Sequence, residues 1–143
     1  MKTRIFFILS FLAGIILLNS CEEDPFDLFE DDPRDGLTGE WVVDEDSEIF
    51  KKKDMNRIYN VNIRKDPSDS TALLVNGFYE LSGSVKMIMN DRNITIPVQT
   101  IDGFTVEDGS GTISFDFESI TLYYYVSFTD DRDVVRADYT RPE

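Results

Sequence analysis

Residues 119–129 read Ser119-Ile120-Thr121-Leu122-Tyr123-Tyr124-Tyr125-Val126-Ser127-Phe128-Thr129. In an extended chain Ile120, Leu122, Tyr124, Val126 and Phe128 fall on one side, and Thr121, Tyr123, Tyr125 and Ser127 on the other. A period of two sustained over this length specifies a β-strand with one face on a core. The pattern repeats upstream: Ile113, Phe115 and Phe117 oppose Ser114, Asp116 and Glu118. Tyr59, Val61 and Ile63 oppose Asn60, Asn62 and Arg64; Val85, Met87 and Met89 oppose Lys86, Ile88 and Asn90; Ile94, Ile96 and Val98 oppose Thr95, Pro97 and Gln99.

Working outward from these segments, eight strands are expected, at 40–45, 57–65, 71–76, 83–90, 93–99, 111–117, 119–129 and 134–141, with 104–106 extending the sixth. Asp66-Pro67-Ser68-Asp69, Asn90-Asp91-Arg92, Asp108-Gly109-Ser110-Gly111 and Asp130-Asp131-Arg132-Asp133 read as the turns between them, because these residues tolerate or cap turn backbone. No long helix is visible. The fold class is therefore all-β, an eight-stranded antiparallel up-and-down barrel, with a two-sheet sandwich as the alternative that strand pattern alone leaves open. Pro97 lacks a ladder donor, which places a rim, bulge or edge there.

Charge and composition narrow the function. The chain carries 14 basic and 28 acidic residues, a net charge of −14, which repels phosphate backbones and argues against nucleic acid as a partner. It has no histidine. That removes Ser-His-Asp and Cys-His catalysis, His-ligated zinc and the usual pH switch. The acidic runs at 44–48 and 130–133 lack the glycine and terminal glutamate of an EF-hand loop and read as solvated charge. No paired carboxylates stand out, Asp116 and Glu118 reading as water-facing. No G-x-S-x-G, P-loop or G-x-G-x-x-G occurs. No catalytic residue, metal site or cofactor is expected, and the chain reads as a non-enzyme.

The amino end says where the protein works. Lys2 and Arg4 precede an apolar run of 14 residues, 5–18, too short for the ~20 residues of a transmembrane helix. Leu18-Asn19-Ser20-Cys21 resembles the lipobox cut by bacterial lipoprotein signal peptidase, so residues 1–20 read as a lipoprotein signal peptide and Cys21, the single cysteine, as the acylated residue. Plain secretion is the alternative. Acyl chains contribute about 0.8 kcal/mol per buried methylene, so two or three of them hold a protein in a membrane. Residues 21–36, rich in acids and carrying Pro25 and Pro33, read as an acidic tether that holds the domain of residues 37–143 on the order of 20 Å from the bilayer. Phe26, Leu28 and Phe29 are apolar for a free linker and offer contacts to one end of the domain.

Several stretches resemble known families. Gly39-Glu40-Trp41 looks like the G-x-W that opens lipocalins and fatty-acid-binding proteins. That resemblance implies that Trp41 closes one barrel end and that a late arginine, Arg136 or Arg141, packs across it. Asn93 to Gln99, Gly109-Ser110-Gly111 and Tyr123-Tyr124-Tyr125-Val126 together resemble small Bacteroidota lipoproteins with a calycin-like barrel. Glu22-Glu23-Asp24 resembles the acidic signal that sends such lipoproteins to the outer face of the outer membrane, with the periplasmic face as the alternative. Asp69-Ser70-Thr71 resembles the Bacteroidota O-glycosylation site, with Ser70 as acceptor; a plain serine turn is the other reading.

The candidate binding residues are aromatic. Tyr123 and Tyr125 face away from the apolar side of their strand, where rings can stack on a sugar or a partner, or pair across strands. Phe78 and Tyr79 follow Asn76-Gly77 and either border a barrel mouth or plug it. The expectation is an outer-membrane-anchored, non-enzymatic barrel that binds a small ligand or an envelope protein. The alternative is a structural or accessory lipoprotein of a surface glycan-uptake complex, with a filled core and a partner face that includes Tyr123 and Tyr125.

Overall fold

Within residues 119–129 the alternation holds: Ile120, Leu122, Tyr124 and Val126 are buried. The computed structural model describes residues 31–143 apart from Asp54 and Asn56. The signal peptide, Cys21 and residues 22–30 with Phe26, Leu28 and Phe29 lie outside the described residues. Within the unit Asp32–Glu143 the strands are β1 (Gly39–Ser47), β2 (Arg57–Lys65), β3 (Ala72–Asn76), β4 (Ser84–Asn90), β5 (Asn93–Ile96), β6 (Gln99–Ile101), β7 (Phe104–Ile113), β8 (Ser119–Phe128) and β9 (Asp131–Thr140). A short helix, α1 (Glu48–Lys51), follows β1, and 3-10 turns form at Pro33–Leu37 and Phe78–Glu80.

Neighbours in sequence pair antiparallel, β9 returns to β1, and β5 pairs with β7 from Asn93↔Thr112 to Ile96↔Gly109. These contacts close an eight-stranded up-and-down barrel, with β6 hydrogen-bonded to β7 outside it. A sandwich is excluded, because the ladder runs unbroken around the ring. Pro97 is where the fifth strand breaks: β5 ends at Ile96 and β6 resumes at Gln99, so one expected strand is two.

The expected turn at 130–133 is instead a two-residue hairpin at Thr129-Asp130, with β9 starting at Asp131, and three further boundaries differ from expectation for local reasons. Asp108-Gly109-Ser110-Gly111 is no turn; it lies inside β7, where the register with β8 shifts between Glu107 and Ser110. A Cβ on Gly109 would collide with Ile96, and one on Gly111 with Leu122, so these glycines serve a bulge where strands approach closely. The reversal is at Asp102-Gly103, both with positive φ, the two-residue hairpin between β6 and β7. The sixth strand also stops at Ile113. Ser114 Oγ donates to Asp116 Oδ1 (2.6 Å) and accepts from Ser119 N (3.0 Å), while Phe117 takes positive φ. Side chains thus satisfy the backbone in a turn and end the ladder. Phe115 is left 84% exposed against Arg92, 3.4 Å from its ring centre.

The interior is filled with side chains. Trp41, Tyr124, Tyr139, Phe78, Leu73 and Met87 are among the largest fully buried residues, each of the aliphatic or phenyl side chains contributing about 1.5–3 kcal/mol of burial. Phe78 packs on Tyr124 with ring centres 4.6 Å apart and planes tilted by 44°. At one end Trp41 Nε1 donates to Leu37 O (2.8 Å), and the Arg141 guanidinium lies 4.0 Å from its ring centre while donating to Thr38 O (3.1 Å). Arg136 instead points outward on β9. Residues 32–36, the described part of the expected tether, fold onto this end: Asp32 caps the 3-10 turn, and Arg34 donates to Asp69 O (2.8 Å) and Ala72 O (3.0 Å).

Candidate functional site

The opposite end is built from charge. On β1 the inward parity of Trp41 and Val43 continues into Glu45 and Ser47, and on β9 that of Tyr139, Ala137 and Val135 continues into Asp133. All three polar residues are buried. Glu45 accepts from Arg57 Nη1 (2.8 Å), Tyr59 Oη (2.5 Å) and Tyr124 Oη (3.0 Å). Burial pushes its carboxyl above the usual carboxylate range, against the opposing pull of Tyr59, Arg57 and Tyr124, with Asp133 pushing the same way as burial. Asp133 accepts from Ser47 Oγ (2.5 Å), Tyr79 Oη (2.8 Å) and Ile49 N (3.1 Å), and so binds β9 to β1, α1 and the 3-10 turn. Ser47 in turn caps α1 through Phe50 N (3.1 Å).

Arg57 is the hub. Its guanidinium lies 4.3 Å from the Phe50 ring centre and 4.4 Å from that of Tyr79, and donates to Tyr79 O (3.0 Å) and Glu80 Oε2 (2.8 Å) as well as to Glu45. These bonds hold the connection between β3 and β4, in which Gly77, Tyr79 and Glu80 all have positive φ. Backbone of that kind persists only where its surroundings over-determine it. Burial also drives the Tyr59, Tyr79 and Tyr124 hydroxyls above the usual phenol range, so they act as donors throughout the physiological range. Tyr139 Oη, fully buried near Glu45, has no hydrogen-bond partner.

Above this network the barrel end opens into a cleft of about 360 Å³, walled by Phe50, Tyr79, Leu81, Phe104 and Phe128 and rimmed by Lys53, Glu80 and Asp131. Phe104 and Phe128 pack with centres 5.2 Å apart, and Phe104 and Tyr79 6.3 Å apart. The cleft can hold a small apolar or aromatic group. Glu45 and Asp133 each accept three hydrogen bonds and are buried beneath the cleft, where they hold Arg57 and Tyr79 in its wall.

Of the residues singled out in the sequence, Tyr79 lines this cleft. Phe78 does not: it is fully buried against Tyr124, because the left-handed turn at Gly77 directs it into the core. It is a plug and no ligand contact. Tyr123 and Tyr125 lie on the outer face of β8, away from the cleft. Tyr123 is 53% exposed, whereas Tyr125 is partly covered by Arg132, 3.9 Å from its ring centre. Ser70 is exposed in the connection between β2 and β3. Asp116 and Glu118 are exposed, in the turn and not on a strand.

Composition hid Glu45, Ser47, Arg57 and Asp133, since acidic runs read as solvated. The signal that could have found them is parity with their inward neighbours. Among the described residues no three His, Cys, Asp or Glu side chains are grouped to hold a metal, and no helix is long and apolar enough to cross a membrane. No protein-family model matches the chain, and no curated protein sequence matches it significantly.

Proposed function

We propose that the protein is a lipoprotein of the outer membrane, held by acyl chains on Cys21 and exposed at the cell surface, and that its calycin-like barrel is a binding module, not an enzyme. The ligand, a small molecule or the side chain of an envelope partner, meets the barrel at its mouth. The observation that carries this reading is the aromatic-walled cleft over a buried, hydrogen-bonded polar network. Residues 32–36 pack at the Trp41 end, and the cleft lies at the opposite end of the barrel.

Cys21→Ser is expected to abolish the added lipid mass and release the protein from membranes. Native mass spectrometry of protein purified from its own cells is expected to show a retained small mass that Phe104→Ala loses. Membrane fractionation that survives Cys21→Ser, or a chain without added lipid mass, contradicts the anchor; no retained mass and no co-purified partner contradict the mouth.

A second reading is favoured by the filled axis and the exposed Tyr123: an accessory lipoprotein of a surface glycan-uptake complex that touches its partner through the outer face of β8. It predicts co-purification with envelope proteins that weakens when Tyr123 and Tyr125 are both changed to Ala.

A further inference from the structure

The outer wall of the barrel carries a second concavity. A groove of about 570 Å³ runs between α1 and the outer face of β9 and β8, lined by Asp46, Glu48, Lys52, Tyr123, Val134 and Arg136. Its size falls within the ~300–1,000 Å³ of small-molecule sites. Strand pairing fixes its layout: Asp46 faces Arg136 across β1 and β9, and Arg136 faces Tyr123 across β9 and β8. A carboxylate, a guanidinium and a phenol therefore follow one another across the sheet at ~4.8 Å intervals. Beyond Tyr123 the same row continues through Ser110 on β7 and Thr95 on β5, both exposed. Val134 lies diagonally beside Tyr123, and the two form an exposed apolar spot, 39% and 53% accessible, on a surface otherwise dominated by acids.

We propose that this groove binds a short neutral oligosaccharide, with Tyr123 as the stacking platform. Four charged side chains line it, two acids and two bases, so it is balanced in a chain of net charge −14. Strongly anionic and strongly cationic ligands gain nothing from such a balance. A pyranose matches it: one flat C–H face for an aromatic ring, and an edge of hydroxyls that each donate and accept. Arg136 and Lys52 supply donors and Glu48 acceptors, and Arg136 is oriented by Asp138 at 3.0 Å. The ring sits mid-strand on a ladder paired on both sides, so the platform is rigid before the ligand arrives. The inference shares Tyr123 with the second functional reading but requires a saccharide and no protein partner; it is independent of the anchor and of the mouth.

The test titrates the purified full chain with neutral hexaoses built from glucose, xylose, mannose and N-acetylglucosamine, one linkage series at a time, by calorimetry and amide chemical-shift mapping. At least one series is expected to bind with Kd at or below about 1 mM and to shift amides of β1, β8 and β9 around Tyr123. Tyr123→Ala is expected to weaken it by about tenfold or more, while Tyr123→Phe, which keeps the ring, and Phe115→Ala, exposed in the turn after β7 and outside the groove, retain it. The unchanged amide spectrum elsewhere shows that each variant is folded. No binding by any series, binding that survives Tyr123→Ala, or binding only of charged saccharides overturns the proposal. If co-purification of an envelope protein fails on changing Tyr123 and Tyr125 while no saccharide binds, this inference falls and the accessory reading stands.

Discussion

The two ends of the barrel are closed by different physics. At the Trp41 end one buried indole is covered by one guanidinium, and both find backbone carbonyls as acceptors. At the Glu45 end two buried carboxylates, an arginine and three tyrosine hydroxyls hydrogen-bond to one another beneath a strained connection. The indole–guanidinium contact of the first end exposes its charge to solvent on one side and tolerates loss of the arginine, although Arg34 is buried close by. The second is held by groups that are expensive to leave unpaired, which makes it the stiffer closure and the more fragile one.

The sharpest way to break that contrast is Arg57→Ala. It strands Glu45 in the interior and releases Glu80 and Tyr79, and it is expected to cost about 3–5 kcal/mol in urea unfolding. Glu45→Gln comes next, at about 2 kcal/mol near neutral pH, because the amide NH2 turns a donor towards groups that themselves donate, Arg57, Tyr59 and Tyr124. Its cost should also depend on pH. Glu45 has a raised folded pKa, so its contribution to stability is fully present below its unfolded value of 4.5 and is lost as pH rises through the folded one. The gap between wild type and Glu45→Gln is therefore expected to shift in favour of wild type as pH falls towards 4.5; a flat difference would show that the carboxylate is unperturbed. At the other end Arg141→Ala should cost only about 1–2 kcal/mol, since water can take over its partners. Tyr139→Phe should have the smallest effect, between zero and a gain of about 1 kcal/mol by thermal unfolding, because it deletes a buried hydroxyl without a partner.

What the sequence disclosed follows the same divide. Ser119–Phe128 and Arg57–Lys65 run as their alternation implies, since a half-buried strand needs nothing beyond period two. Pro97 marked a true interruption because a missing donor acts locally. Gly109-Ser110-Gly111 misled because glycine serves a turn and a close strand approach alike, and only the position of Ile96 and Leu122 decides between them. Phe115 and Phe117 kept the alternation while Ser114 and Asp116 bent the backbone out of the ladder. Arg141 lies over the Trp41 ring at one barrel end. The Glu45 end stayed hidden, since its partners come from β1, β2, β8, β9 and the connection after β3, brought together only by closure of the ring. Each acid alone reads as solvated; in company it is a floor.

The measurement that bears most directly on this account is a crystal structure of the protein purified from its own cells with whatever it retains. Density for the retained group is expected in the mouth, against Phe104 and Phe128, with the Phe78–Tyr124 contact and the Arg57–Glu45 pair unmoved. Density inside the barrel with Phe78 displaced would contradict it.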